Sequence, residues 1–395
     1  MAPDKMLAVW RVQRLLDLVD FRNGKPIKPG QDGLFPAYGS AGVIGKASNF
    51  LYEDAIILGR VGAYCGSVFH YKDKFWASDN TIVVECKDHI SDTRFLYYLL
   101  QSANLRRHAG GAAQPLITHG ILKQLEFRVP PVSAQRRIAS ILGRYDSLID
   151  VNCRRMSTLA EIRRRIFDEW FVELRFPGHE KVAISTDELG PIPDGWRRCE
   201  LREVARVNRQ SVKPIKAPTT ICYVDITSVS PDSIDEATEI AFSEAPGRAR
   251  RQVTEGSIIW STVRPNRRSH ALVLDPPSNM IVSTGFAVVD ATAVPFSFLY
   301  EAVTTDFFVG YLTNHATGSA YPAVTGETFE RALLLVPPKK LLDAFHHHAE
   351  PLLRLADKLR RANRQLAAAR DLLLPRLVSG ELSIAAAERE IEQAA

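Results

Sequence analysis

The chain contains two copies of one stretch of itself at a fixed offset, and this limits its fold more than any other feature. His108-Ala109-Gly110-Gly111-Ala112-Ala113-Gln114-Pro115 and His315-Ala316-Thr317-Gly318-Ser319-Ala320-Tyr321-Pro322 lie 207 residues apart. The same spacing aligns Thr118 with Thr325 and Val129-Pro130-Pro131 with Val336-Pro337-Pro338. Nine of the 24 columns from His108 to Pro131 are identical without a gap, too long a run for chance pairing of common residues. A unit of about half the protein means duplicated domains rather than a solenoid of short repeats.

The register continues past the prolines. Ile138, Tyr145, Asn152, Leu159 and Ile166 recur every seven residues, and the shared offset carries them to Phe345, Leu352, Leu359, Leu366 and Leu373. Three residues further along come Ile141, Leu148, Arg155 and Ile162 in one copy and His348, Leu355, Ala362 and Ala369 in the other, an imperfect second seam position. A stripe this narrow, held over four to five heptads, suits helix against helix better than helix against a globular face. Each half therefore reads as a module followed by a long helix, and the two helices are expected to pair. Asn152 and Arg155 would then be polar seam residues that fix register.

With 395 residues and 46% hydrophobic content, the chain can bury two ordinary cores. No stretch approaches 18 apolar residues, and MAPDKMLAVWRVQR offers no apolar leader, so a cytoplasmic protein is expected. Five cysteines without CxxC spacing suit reduced thiols and no zinc cluster. The net charge of +5 is too modest to argue for nucleic acid alone; the local clusters Arg248/Arg250/Arg251 and Arg264/Arg267/Arg268 say more. The Arg163-Arg164-Arg165 run lies among Glu161, Asp168 and Glu169 and reads as a charged helix face.

Within the modules, residues 54–60, 80–85, 256–262 and 285–290 are β-branched and bounded by Gly, Asp or Asn, and are expected to be strands. Residues 91–107 and 296–312 read as helices leading into the repeated His-Ala string. Tyr38-Gly39-Ser40-Ala41-Gly42-Val43-Ile44-Gly45 is a connection whose glycines allow tight turns or close approach to a ligand.

The order module, Pro-Pro, heptad helix, module, Pro-Pro, heptad helix resembles the specificity subunit of type I restriction-modification systems. Leu189-Gly190-Pro191-Ile192-Pro193-Asp194-Gly195-Trp196 is similar to that family's lead-in to its second target recognition domain. The runs 130–139 and 165–172 resemble the start and end of its central helix, and 372–382 the end of its second. Residues 36–42, 57–62 and 76–81 resemble one class of recognition domain, and 260–265 with 283–287 another. Lys339-Lys340-Leu341-Leu342 departs from the Gln-Arg-Arg-Ile opening of the first helix. The resemblance implies a mixed α/β fold of two target recognition domains of similar fold, each followed by a long helix. The helices would pair as an antiparallel coiled coil with pseudo-two-fold symmetry. The boundaries are 1–132 for the first recognition domain, 133–176 for the central spacer helix, 177–338 for the second domain, and 339–395 for the C-terminal helix and tail.

The same resemblance implies a non-catalytic subunit without a cofactor of its own that reads a bipartite site on double-stranded DNA. Its partners would be two methyltransferase subunits, which carry S-adenosylmethionine, and restriction/translocase subunits. The DNA-contacting candidates are Tyr38, Ser40, Lys46, Arg60 and Asn80 in the first module, and Arg264, Asn266, Arg267, Arg268 and Thr284 in the second. They follow from arginine's fit to guanine and the amide's fit to adenine. Trp170, Phe171, Leu374, Leu377 and Val378, at the helix ends where a paired seam stops, are expected to expose apolar surface to the methyltransferase partners.

The competing reading is a stand-alone DNA adenine methyltransferase. Asp275-Pro276-Pro277-Ser278 approaches the Asp-Pro-Pro-aromatic motif, but Ser278 replaces the base-stacking aromatic. Gly59-Arg60-Val61-Gly62 is followed by no helix pattern that would make a methyl-donor turn. A plain turn at Pro276-Pro277 is the better reading. His346-His347-His348 cannot converge on one metal ion, because successive helical residues point about 100° apart. A purely structural coiled coil leaves two dissimilar glycine-rich modules unexplained.

Overall fold

The computed structural model describes residues 10–30, 32–111, 114–213, 215 and 217–394. Ala112 and Ala113 of the repeat, and the first nine residues of the N-terminal run, lie outside the described residues. The chain divides into two compact units that cut across the linear segments: residues 1–152 with 362–395, and residues 153–361. Each long helix thus gives one half to each unit.

In the first unit, Val19–Asn23, Thr81–Cys86, Ala55–Gly59 and Val68–Tyr71 lie side by side in one antiparallel sheet. The Ala55–Gly59 strand is buried along its whole length, which its Ile-Ile-Leu centre favours at roughly 1.5–3 kcal/mol per side chain. A second sheet orders Gly42–Ala47, Phe35–Gly39 and Trp76–Ala77, the last pair parallel. Arg11–Arg14 pairs with Glu126–Val129, the strand before the prolines.

The second unit repeats this plan. Ala205–Val207, Phe286–Ala291, Ile258–Ser261 and His270–Leu272 form the first sheet in the same order. Thr238–Ala241, Thr220–Val224 and Met280–Ser283 form the second, again with one parallel pair, and Ala249–Gln252 adds an extra strand. Arg197–Glu200 pairs with Leu333–Val336. Even single bonds repeat: Leu15 N–H donates to Leu125 O at 2.8 Å, and Leu201 N–H to Ala332 O at 2.8 Å. All four expected strands are present. The helix expected over 91–107 is Thr93–Ser102. The one expected over 296–312 is two helices, Phe296–Ala302 and Asp306–His315, because Thr305 caps the second by accepting from Phe308 N–H.

The long helices run Val132–Phe167, closing in a π-turn at Asp168–Val172, and Lys339–Ser379. They pair antiparallel inside each unit. In the first, Asp146 accepts from Arg370 at 2.6 Å and Asn152 donates to Asn363 at 2.8 Å. In the second, the Phe167, Trp170 and Phe171 rings pack on Phe345 at 5.1–6.2 Å. Asn152 does sit buried in the seam. The second seam position holds only in part: Ile141 is buried and Ala362 and Ala369 are half-buried, but Leu148, Ile162 and Leu355 are exposed, as are Arg155 and His348. The seam instead takes residues four positions on, with Leu142, Arg163, Ala349, Ala356 and Leu377 buried. Arg163 and Asn363 there are polar, which hides the stripe from a hydrophobic pattern. The tail forms a further helix, Ile384–Ala394, held to the first unit by Arg137–Glu388 at 2.9 Å. No described helix is long and apolar enough to cross a membrane.

Candidate nucleic-acid interface

The repeated residues build the same backbone clamp twice. In the first unit, Gly110 and Leu116 exchange two N–H···O=C bonds of 2.9 Å across a hairpin; in the second, Thr317 and Ala323 do the same at 2.9 Å. Gly111 (φ +91°) and Gly318 (φ +101°) occupy the left-handed position of that turn, which explains why both copies keep glycine. Each hairpin grips the loop leaving the central strand. Ile117 N–H donates to Arg60 O (2.9 Å) and Gly62 N–H to Pro115 O (3.1 Å). The counterparts are Val324 N–H to Thr262 O (2.9 Å) and Arg264 N–H to Pro322 O (2.7 Å). Thr118 and Thr325 cap the following short helices, accepting from Ile121 and Thr328 N–H.

On this shared frame the side chains differ. In the first unit Ser40, Arg60 and Asn80 come together: Asn80 O accepts from Ser40 Oγ–H (2.7 Å) and from Arg60 N–H (2.9 Å). Gly59 beneath them has no room for a Cβ, which would meet Tyr64 O at 2.4 Å. Lys46 is exposed but lies further along its strand, paired with Gly30 and Pro36. Tyr38 does not belong to the surface. It is 8% exposed, its ring packs on Phe69, Tyr71 and Phe75, and burial pushes its phenol up to about 12. Its expected role as a reader is corrected to a core role.

In the second unit Arg264, Asn266, Arg267 and Arg268 share one loop around the turn Pro265–Arg267. Thr262 N–H bonded to Gly285 O (2.9 Å) brings exposed Thr284 beside it. Arg264 (φ +52°) and Arg268 (φ +55°) adopt left-handed backbone, a strain of about 1–3 kcal/mol each that only surrounding structure can hold. The Arg264 guanidinium lies over Tyr321, 4.7 Å from the ring centre, and donates to Ala320 O at 3.2 Å. Arg268 is ion-paired with Asp306, so less of its charge faces outward. Arg248, behind Thr284, pairs with Asp225 at 2.7 Å.

Tyr321 and Gln114, exposed at one matching position, and Arg106, which donates to Ala63 O at 2.8 Å, also lie at the clamps, although the sequence did not single them out. The available signal was the place where the repeat stops matching.

The type I restriction modification DNA specificity domain family matches residues 9–160. The specificity subunit of the type I restriction enzyme MjaIX from Methanocaldococcus jannaschii is 24% identical over 305 residues, 74% of this chain and 69% of that protein. The MjaVIII specificity subunit from the same organism is 21% identical over 95% of this chain and 93% of its own length. Across these stretches the chain is similar to type I specificity subunits. A crystal structure of the S subunit of a type I restriction-modification system from M. genitalium shares the fold, with a TM-score of 0.60 at 16% identity, covering 95% of this chain and 98% of that one.

A specificity subunit is the DNA-recognition component rather than the catalyst, and the residues that hinted at an enzyme have other uses. Asp275-Pro276-Pro277-Ser278 belongs to a turn closed by Met280 N–H to Pro277 O (2.9 Å). His346 bonds Ser297 (2.8 Å) and Glu350 (3.1 Å), whereas His348 packs on Trp170. Among the described residues no group could hold a metal ion.

The exposed apolar helix ends expected for partner binding are corrected. Phe171 is buried in the second unit's core, and Leu374, Leu377 and Val378 are buried in the first unit's core; Trp170 is half-buried. The helix ends are sealed by the module that each reaches: Trp196 packs on Phe171 and Phe176, and the Trp10 indole lies against Gly380.

Proposed function

We propose that this specificity subunit, acting in the cytoplasm, reads a bipartite double-stranded DNA target, one half-site per recognition module. Its helices would set the gap between half-sites, and it would recruit methyltransferase and restriction subunits. What supports the reading is the clamp built twice on one backbone plan with different side chains at its tip. Such a scaffold fixes position through backbone geometry and leaves sequence readout to a few side chains. Ser40, Arg60 and Asn80 in the first module, and Arg264, Asn266, Arg267, Arg268 and Thr284 in the second, form the proposed interface, with Lys46 at its margin in a phosphate role. Exposed Leu148 and Leu355, one repeat apart on the outward helix faces, replace the helix ends as the proposed apolar partner contacts, one per methyltransferase.

The antiparallel register decides the test. A heptad inserted in only one helix would put the pairing of Asn152 with Asn363 out of register with that of Phe167 with Phe345, so matched heptads go after Asn152 and after Arg361. This adds roughly 10 Å, or about three base pairs at roughly 3.4 Å each. The full chain with its methyltransferase subunits should then select sites with a gap longer by about three base pairs from a spacing-randomised library. An unchanged gap would mean that the helices are not the ruler.

A further inference from the structure

Gly62 and Arg264 occupy the same position of the two clamps. Each donates its backbone N–H to the proline carbonyl of the repeat, Pro115 or Pro322, and each has left-handed φ, +77° and +52°. Glycine holds that conformation without strain, and arginine does not. A strained arginine where glycine suffices needs a reason in what its side chain does. That side chain is held: its guanidinium stacks on Tyr321 at 4.7 Å and gives one hydrogen bond to Ala320 O. Guanidinium carries five N–H donors in a planar fork, so this posture fixes the plane while leaving further donors for another acceptor.

In the first module the partner across the clamp is Gln114, at the repeat position of Tyr321. It is exposed, and its Nε2 lies 3.9 Å from where a side chain on Gly62 would begin. The space filled in one module by a stacked arginine is thus occupied in the other by a carboxamide.

Resting on the DNA-reading function above, we propose that this matched position is a specificity-determining site in both modules. Gln114 reads an adenine in one half-site, and Arg264, held flat by Tyr321, reads a guanine in the other. The assignment follows from two-bond complementarity: a carboxamide matches adenine N6 and N7, and a guanidinium fork matches guanine O6 and N7. Tyr321 is a positioning residue. Its stacking lowers the freedom that Arg264 loses on binding.

The test uses the full chain assembled with its methyltransferase subunits and a duplex library randomised in both half-sites. Gln114→Ala should reduce discrimination at one base pair of one half-site, on the order of ten-fold or more, and leave the other half-site unchanged. Arg264→Ala should do the same in the opposite half-site, and Tyr321→Ala should weaken that same base pair while Tyr321→Phe restores it. Arg264→Lys keeps the charge and the backbone strain but loses the fork, so it should lose guanine preference with little loss of total binding; it covers the case in which the alanine variant folds poorly. Equal weakening on all sequences would make these residues phosphate contacts and overturn the proposal, as would no change. A wild-type assembly that selects no two-part site would overturn the function reading itself, whereas a normal two-part site unaltered by Gln114→Ala would overturn only this assignment.

Discussion

The two units bind the incoming half-helix through an arginine at the same repeat position, yet pair it with a carboxylate at different depths of burial. Arg370 and Arg163 lie 207 residues apart in sequence. Arg370 meets Asp146 at 2.6 Å, with side chains 18% and 24% exposed, and Asp146 also accepts from Tyr98. Arg163 meets Glu301, with side chains 5% and 3% exposed, next to Tyr300, Asp232 and His270. The repeat keeps what handles backbone, namely turn glycines, capping threonines and strand-ending prolines. It leaves charge free to vary, and variation in charge alters both how firmly each module is seated and what it presents outward.

The sharpest way to break this comparison is to delete the two arginines. Arg163→Leu leaves Glu301 buried without its counter-charge and should destabilise the second unit by about 3–5 kcal/mol. Arg370→Leu, where solvent reaches both partners, should cost the first unit about 1–3 kcal/mol. Hydrogen exchange followed separately in the two units reads this. Adding Glu301→Leu to Arg163→Leu should recover most of the loss; failure to recover would mean that packing around Arg163, not its charge, is what counts.

Next comes pH, because only the second unit places a histidine at this point. His270 pairs across from Trp260, where the first unit pairs Val68 with Leu58. Burial, opposed by Asp232 and reinforced by Arg164, Arg268 and Arg163, pulls His270 down to about 4 from 6.5. A folded value below the unfolded one gives stability that is present above pH 6.5 and lost as pH falls through about 4. Glu301 runs the other way: burial against the pull of Arg163 raises its carboxyl to about 7, giving stability that is lost as pH rises towards 7. The wild-type profile is therefore flattened, and the difference from His270→Val isolates the histidine. On acidification from pH 7 to 4 the variant should gain about 3 kcal/mol relative to wild type. A constant offset between the two curves would show that His270 titrates normally.

These cases also show what the sequence could reveal. Strands such as Ala55–Gly59 and Ile258–Ser261 were legible because burial on both faces demands a short, nearly continuous apolar run. The helices were legible from seven-residue spacing. The second seam was not, because its occupants include Arg163, Asn363 and Arg370, whose partners lie on other elements; Leu148, Ile162 and Leu355, more apolar, pointed to the wrong face. In the candidate interface, residue type picked out the Arg264–Arg268 loop, but Tyr38 is an aromatic core residue and Phe171 is sealed in by Trp196. Those facts depend on chain segments far apart in sequence, which local pattern does not encode.

The smallest effect tests the element that the two modules share most closely. Gly111 and Gly318 hold the same turn, so alanine at either must adopt left-handed backbone at about 1 kcal/mol. The surroundings then separate them. A Cβ on Gly111 would sit 2.5 Å from Gln114 O, whereas on Gly318 it would sit 3.1 Å from Tyr321 O. The first must move backbone and the second only ease it, so Gly111→Ala should cost roughly 1 kcal/mol more than Gly318→Ala. Chemical denaturation of each variant, with exchange at the hairpin amides as the local readout, measures the gap. Because the Gly111 turn carries Gln114, its alanine variant should also disturb the first half-site while the second stays intact. Equal costs and undisturbed recognition would mean that the hairpin tolerates displacement, and that the reading side chains are positioned by something other than the turn.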